Sequence, residues 1–258
     1  MNFPKHLFFV NLDINLEHKE KTIVNPISRR SFVGQASFGL AALAALGTTA
    51  DAQLVYTRAD WKVSEFDELL KNPARVKQAY DVIPIGDGKF LNNIKNSLNG
   101  LHFGFGIPAD QIKVVGAMHG PANMLNYDDY VWEKYRIGEW LKVDDPKTGK
   151  PATRNPFYFS KAGNPPKYAS QDPDSEKSSY QDTSMQALQA RGVKFLSCHT
   201  ATEEQANVLI EKYSLSQKRE EIVKDMLAHT VPGVLVVASM VAAIALLQSE
   251  GRFSYITV

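Results

Sequence analysis

GVKFLSCHTA, residues 192–201, is the stretch on which the fold turns. Gly192 breaks what precedes it. VKFLSC then reads as a strand, with Val193, Phe195 and Ser197 on one face and Lys194, Leu196 and Cys198 on the other. Thr202-Glu203-Glu204-Gln205 opens a helix that runs to about Tyr213, so Cys198 closes a strand just ahead of a helix start. A strand feeding a helix is half of a βαβ unit, and the same junction can be sought in the rest of the chain.

It recurs on both sides. AYDVIPIGDG (79–88) reads as a strand and a glycine turn, and KFLNNIKNSLNGL (89–101) has helical apolar spacing at Phe90, Leu91, Ile94, Leu98 and Leu101. QIKVVGAMHG (111–120) is a second strand ending in a Gly-Pro turn. A helix rich in aromatics is expected from Ala122 to about Leu141. Beyond residue 182, Thr183-Ser184-Met185-Gln186 fits a capping box that opens a helix to about Ala190. REEIVKDMLAH (219–229) carries an amphipathic stripe, TVPGV holds a short fourth strand, an apolar helix follows to Gln248, and FSYITV closes as a strand. Strands alternating with helices imply a small doubly wound α/β domain: a parallel sheet of about five strands with helices on both faces. VPGVLVVASMVAAIALL (231–247) is near the lower length limit for a membrane span, and Pro232-Gly233 shortens its helical part. A buried helix, or one at a subunit interface, fits it better.

Two regions stand outside this pattern. Residues 53–78 read as an arm packed on the domain, with Trp61, Phe66, Leu69 and Leu70 as anchors. From about 143 to 181 the chain turns polar and holds six of its 13 prolines, a long insertion read as an ordered flap because NPFYFS (155–160) places three aromatics in it. The N-terminus is a separate matter. SRRSFV (28–33) precedes an uncharged apolar stretch from Gly34 to Ala50 and an Ala50-Asp51-Ala52 site, which is the pattern of a twin-arginine export signal over residues 1–52 cleaved between Ala52 and Gln53. The expected location is the periplasm or the outer surface of the cell membrane, with the twin-arginine translocase as a partner during export.

The composition is that of an ordinary globular chain of 258 residues, with 44% hydrophobic and 22% charged residues and a net charge of +1, so nucleic acid is not an expected partner. The single cysteine excludes an internal disulfide. A lone thiol in an oxidising compartment is either buried and inert or exposed and used. Ligands of open parallel sheets bind at the carboxyl ends of the strands. Three segments are expected there: Gly86-Asp87-Gly88, His119-Gly120 and Cys198-His199. A helix N-terminus would lower the Cys198 pKa, and His199 or His119 could add to this, which makes these three the candidate reactive residues. Gly86, Asp87, Gly88 and Gly120 are candidate ligand-binding positions. Cys198 could equally be a small apolar filler, and alternation alone leaves its exposure open. His102 and His229 read as structural. No metal-ligand spacing and no cofactor motif is found, and no Gly-x-Ser-x-Gly elbow marks a hydrolase.

Several of these segments together resemble the DsrE/DsrF-like family, chiefly its exported members. The resemblance rests on LNNIKNSLNGL, IKVVGAMHGPANML, ALQARGVKFLSCHTA and TVPGVLVVASMVAAIALLQSEGRFSYI, that is, on Asn92, Asn93 and Asn96, His119 and Gly120, Gly192, Val193 and Cys198, Val231 to Val234, and Gln248, Gly251, Tyr255 and Ile256. It covers about residues 79–130 and 182–258; the insertion is foreign to the family pattern. The resemblance implies a homo-oligomeric α/β domain. In sulfur-relay members it implies a persulfide carried at the Cys198 position, with a protein as sulfur donor or acceptor. Two functions are therefore expected to compete. One is an exported carrier of sulfur or a thiol adduct on Cys198, more carrier than turnover enzyme. The other is a non-catalytic periplasmic binding or assembly protein whose cysteine is structural.

Overall fold

The computed structural model describes residues 61–158, Ser175 and residues 178–258. The segment expected to be an export signal (1–52), the start of the expected arm (53–60) and most of residues 159–177 of the expected insertion lie outside the described residues. Five strands form one all-parallel sheet: β1 (Val76–Val82), β2 (Ile112–Met118), β3 (Lys194–Cys198), β4 (Leu235–Val237) and β5 (Ser254–Thr257), in the order β4-β3-β2-β1-β5. The small doubly wound α/β fold is thus present.

The chain steps from β1 to β4 in one direction and then returns to place β5 on the far side of β1. Right-handed crossovers put the first set of helices on one face and the returning helix on the other. The two cores follow that division. On one face lie α2 (Lys89–Asn99), α3 (Asp129–Lys134), α4 (Ile137–Leu141), α5 (Met185–Ala190), α6 (His199–Tyr213) and α7 (Arg219–Ala228), packed on Tyr80, Val82, Val114, Met118 and Phe195. Gly116 makes room for this core, since a Cβ there would lie 2.7 Å from the Phe195 ring. On the other face, α1 (Val63–Leu70) and α8 (Met240–Ser249) cover Ala79, Val115, Ala117, Leu196, Leu235 and Val237. Strand β3 divides as its alternation requires, Phe195 to the first core, Leu196 and Cys198 to the second.

Some expected helices differ in extent. The segment 122–141 is not one helix. A 3₁₀ turn (Gly120–Asn126) leads to α3, where the Asp128 side chain caps the backbone N–H groups of Tyr130 and Val131, and Arg136 in the left-handed region separates α3 from α4. Asp128 satisfies backbone N–H groups that a continuous helix would have paired itself, while Asn123 and Asn126 turn to the backbone of β3, at Cys198 N–H and the Leu196 carbonyl. The cap of α5 is Ser184, one residue later than the expected box, with its hydroxyl accepting from Ala187 N–H. Helix α6 starts at His199, three residues before Thr202, because Cys198 itself occupies the cap position. Helix α8 spans ten residues, and among the described residues no helix is long and apolar enough to cross a membrane. It buries Met240, Ala243, Ile244 and Leu247 and exposes Val241 and Leu246.

Candidate functional site at the carboxyl rim of the sheet

Cys198 ends β3 and caps α6. Its Sγ accepts hydrogen bonds from the Ala201 N–H (3.4 Å) in the first turn of α6 and from the Met240 N–H (3.3 Å), the first residue of α8. Two helix N-termini therefore converge on the sulfur. The residue is nevertheless only 5% exposed, packed among Phe66, Leu196, Leu235 and Ile244. Burial raises its pKa, and the N–H groups of Ala201, Met240 and Thr200 oppose that shift without cancelling it. The expected lowering of the Cys198 pKa is thus corrected: loss of water around the anion outweighs the peptide dipoles. A cavity of about 210 Å³ lies between α1 and the start of α8, walled by Trp61, Val63, Phe66, Val237, Ala242 and Leu246; Cys198 is not part of its wall.

The backbone of Cys198 is fixed from the opposite face by Asn123. This fully buried side chain accepts from the Cys198 N–H (2.9 Å) and the Ser197 hydroxyl (3.0 Å), and donates to Thr202 Oγ1 (3.1 Å) and Gln205 Oε1 (3.0 Å). Thr202 Oγ1 donates in turn to the Cys198 carbonyl at 2.9 Å and pairs with the Tyr127 hydroxyl at 2.6 Å. Every member of this cluster has a partner in a low-dielectric site, which fixes the strand end rather than leaving it adaptable.

His199 is buried beside Cys198 and meets the edge of the Trp61 ring at 5.1 Å between centroids. Its Nδ1 stands 3.8 Å from Glu203 Oε2. Burial lowers the His199 pKa and raises that of Glu203, so it works against the charged form of each. Burial thus disfavours the imidazolium that would have helped a thiolate at Cys198.

His119 follows β2, and its place in register is the next step beyond the Met118–Ser197 pair. No hydrogen bond joins it to Cys198. It turns to β1, where Nε2 lies 2.7 Å from Asp81 Oδ1, while the Tyr255 hydroxyl of β5 donates to Asp81 Oδ2 at 2.5 Å. This cluster spans three strands at the place where strand order reverses, the usual ligand position of an open α/β sheet. Gly86, Asp87 and Gly88 form a 3₁₀ turn, all with positive φ. The space above Gly88 belongs to Phe157 of the insertion, whose Cε1 would stand 2.5 Å from an added Cβ. Gly120 accepts from Gln205 Nε2 through its carbonyl. His102 binds the Ile107 carbonyl with Nδ1 (2.8 Å), and His229 stacks on Tyr130.

The expected rim residues thus separate into two clusters, Cys198 with His199 under α1 and α8, and His119 with Asp81 and Tyr255 nearer the opposite edge. Asp81 and Asn123 were not anticipated. A carboxylate between Tyr80 and Val82 at the carboxyl end of an inner strand was the readable sign of the first; the Asn123–Asn126 spacing within an apolar run was that of the second. Among the described residues no group of three or more His, Cys, Asp or Glu side chains could hold a metal ion. Comparisons with protein-family models, with characterised proteins and with solved structures found no match.

Proposed function

We propose that the chain is an exported binding or assembly protein of the DsrE/DsrF-like kind, in which Cys198 is a structural cap and not a sulfur carrier. The burial of Sγ carries this reading. A carrier sulfur must meet a donor and an acceptor, and this one lies 5% exposed beneath α1 and α8 with its pKa raised. Export through the twin-arginine translocase and cleavage after Ala52 complete the proposal. Self-association uses the uncharged outer side of α8, where Val241 is 68% exposed and Leu246 38%. Val241→Glu is expected to lower the mass measured by light scattering.

One observation favours the sulfur-relay reading. Two helix N-termini donate to Sγ, the setting a persulfide anion would use if α1 lifted away. Treatment of the native protein with polysulfide, followed by intact-mass analysis, separates the two. The binding reading expects no gain of a sulfur atom at Cys198 without denaturant. A stoichiometric gain on the folded protein, absent in Cys198→Ser, would establish the relay instead.

A further inference from the structure

The cluster of Asp81, His119 and Tyr255 has one unused atom. An ionised carboxylate only accepts hydrogen bonds, so at both Asp81 oxygens the proton belongs to the partner. Nε2 of His119 is therefore the N–H that donates to Oδ1, and the Tyr255 hydroxyl donates to Oδ2. In a neutral imidazole this leaves the lone pair on Nδ1, which makes no hydrogen bond with any described residue. Asp81 fixes the tautomer and the ring orientation, and would stabilise an imidazolium once a proton arrives at Nδ1. The His119 side chain remains 20% exposed. Ile83 (46% exposed) lies close to Gly120, the residue after His119, and Tyr255 is 44% exposed, so the cluster carries exposed apolar surface.

We propose that Asp81, His119 and Tyr255 form a proton-accepting binding site for a small flat molecule with an acidic hydroxyl, a phenol or an enol. The hydroxyl donates its proton to Nδ1 of His119, while the planar body lies on Ile83 and the Tyr255 ring. The proton balance is simple: the ligand O–H breaks, Nδ1–H forms, and the resulting imidazolium holds the phenolate on one side and Asp81 on the other. No redox change and no co-reactant is involved. The inference rests on the reading of the chain as a binding protein, but on different atoms from Cys198.

The probe is p-nitrophenol, whose phenolate absorbs where the phenol does not, in buffer somewhat below the ionisation point of the free phenol. Wild-type protein is expected to produce a saturable rise in the phenolate band. His119→Gln should abolish it. Asp81→Asn should weaken binding by about tenfold or more, because the amide donates to Nε2 and moves the imidazole proton to Nδ1. Tautomer assignment of His119 by long-range ¹H–¹⁵N correlation in the wild type is independent of any variant and should show the proton on Nε2. No saturable rise, an equal rise in His119→Gln, or a proton on Nδ1 of the neutral wild-type ring would each overturn the proposal. Sulfur loading of Cys198 would overturn the binding reading and leave these results as they stand.

Discussion

Replacing Cys198 tests the cap directly, because two substitutions separate hydrogen bonding from packing. Cys198→Ala removes the acceptor shared by the Ala201 and Met240 N–H groups and opens space the size of one heavy atom among Phe66, Leu235 and Ile244. A lost N-cap costs about 1 kcal/mol, a buried donor left unpaired roughly 1–3 kcal/mol, and one methylene-sized group about 0.8 kcal/mol. These overlap, so a total of roughly 2–4 kcal/mol is expected, or about 5–15 °C in Tm for a domain of this size. Cys198→Ser returns an oxygen that both N–H groups can reach, and should cost about half as much or less. In a purely apolar site the order is reversed, because a buried hydroxyl without a partner is worse than a methyl group. Urea unfolding followed by circular dichroism gives both values. If Cys198→Ser is the less stable of the two, or if neither variant shifts the midpoint, the sulfur is not holding the two helices.

Asn123→Leu leaves the Cys198 N–H and the Ser197 hydroxyl without their buried acceptor, and should cost roughly 3–5 kcal/mol in the same assay; a change under about 1 kcal/mol would show that the network contributes little. His199 gives a pH signature. Its folded pKa lies below the unfolded value near 6.5, so its contribution is complete above that value and is lost as pH falls through the window below it. Stability of the wild type should therefore drop between about pH 7 and pH 5.5 more steeply than that of His199→Phe; parallel profiles would contradict a neutral buried imidazole. Glu203, whose pKa is raised, acts in the opposite sense: its stabilising contribution is full below the unfolded value and fades as pH rises through the folded one. Cys198 behaves likewise at the alkaline end, where the wild type should lose stability as pH rises beyond about 8.5 and Cys198→Ser should not.

The alternation in VKFLSC was enough to assign Leu196 and Cys198 to one side of β3 and Phe195 to the other, and the repeated strand-to-helix junctions were enough for the doubly wound sheet. Face assignment is local, since it follows from the pleat. Exposure is not. The sulfur shares its core with Phe66 of α1 and Ile244 of α8, one an anchor of the N-terminal arm and the other from the returning helix, and neither is near Cys198 in the chain. The position of Cys198 at a helix start was legible, but whether a dipole or desolvation governs its pKa depends on those distant lids. The break in the 122–141 helix escaped pattern reading because its apolar residues keep helical spacing while Asn123 and Asn126 are spent on β3. His119 and Tyr255 lie 38 and 174 positions from Asp81, so only the sheet order brings the three to one rim.

In the folded state the Cys198 sulfur is buried. Its rate of reaction with an aromatic disulfide reagent, measured in native buffer and in urea, shows whether solvent reaches it. Native protein should react at least about a hundredfold more slowly than unfolded chain, with a rate that tracks opening of the fold. Reaction at the unfolded rate in native buffer would mean that the thiol meets solvent freely, and the structural reading of Cys198 would be wrong.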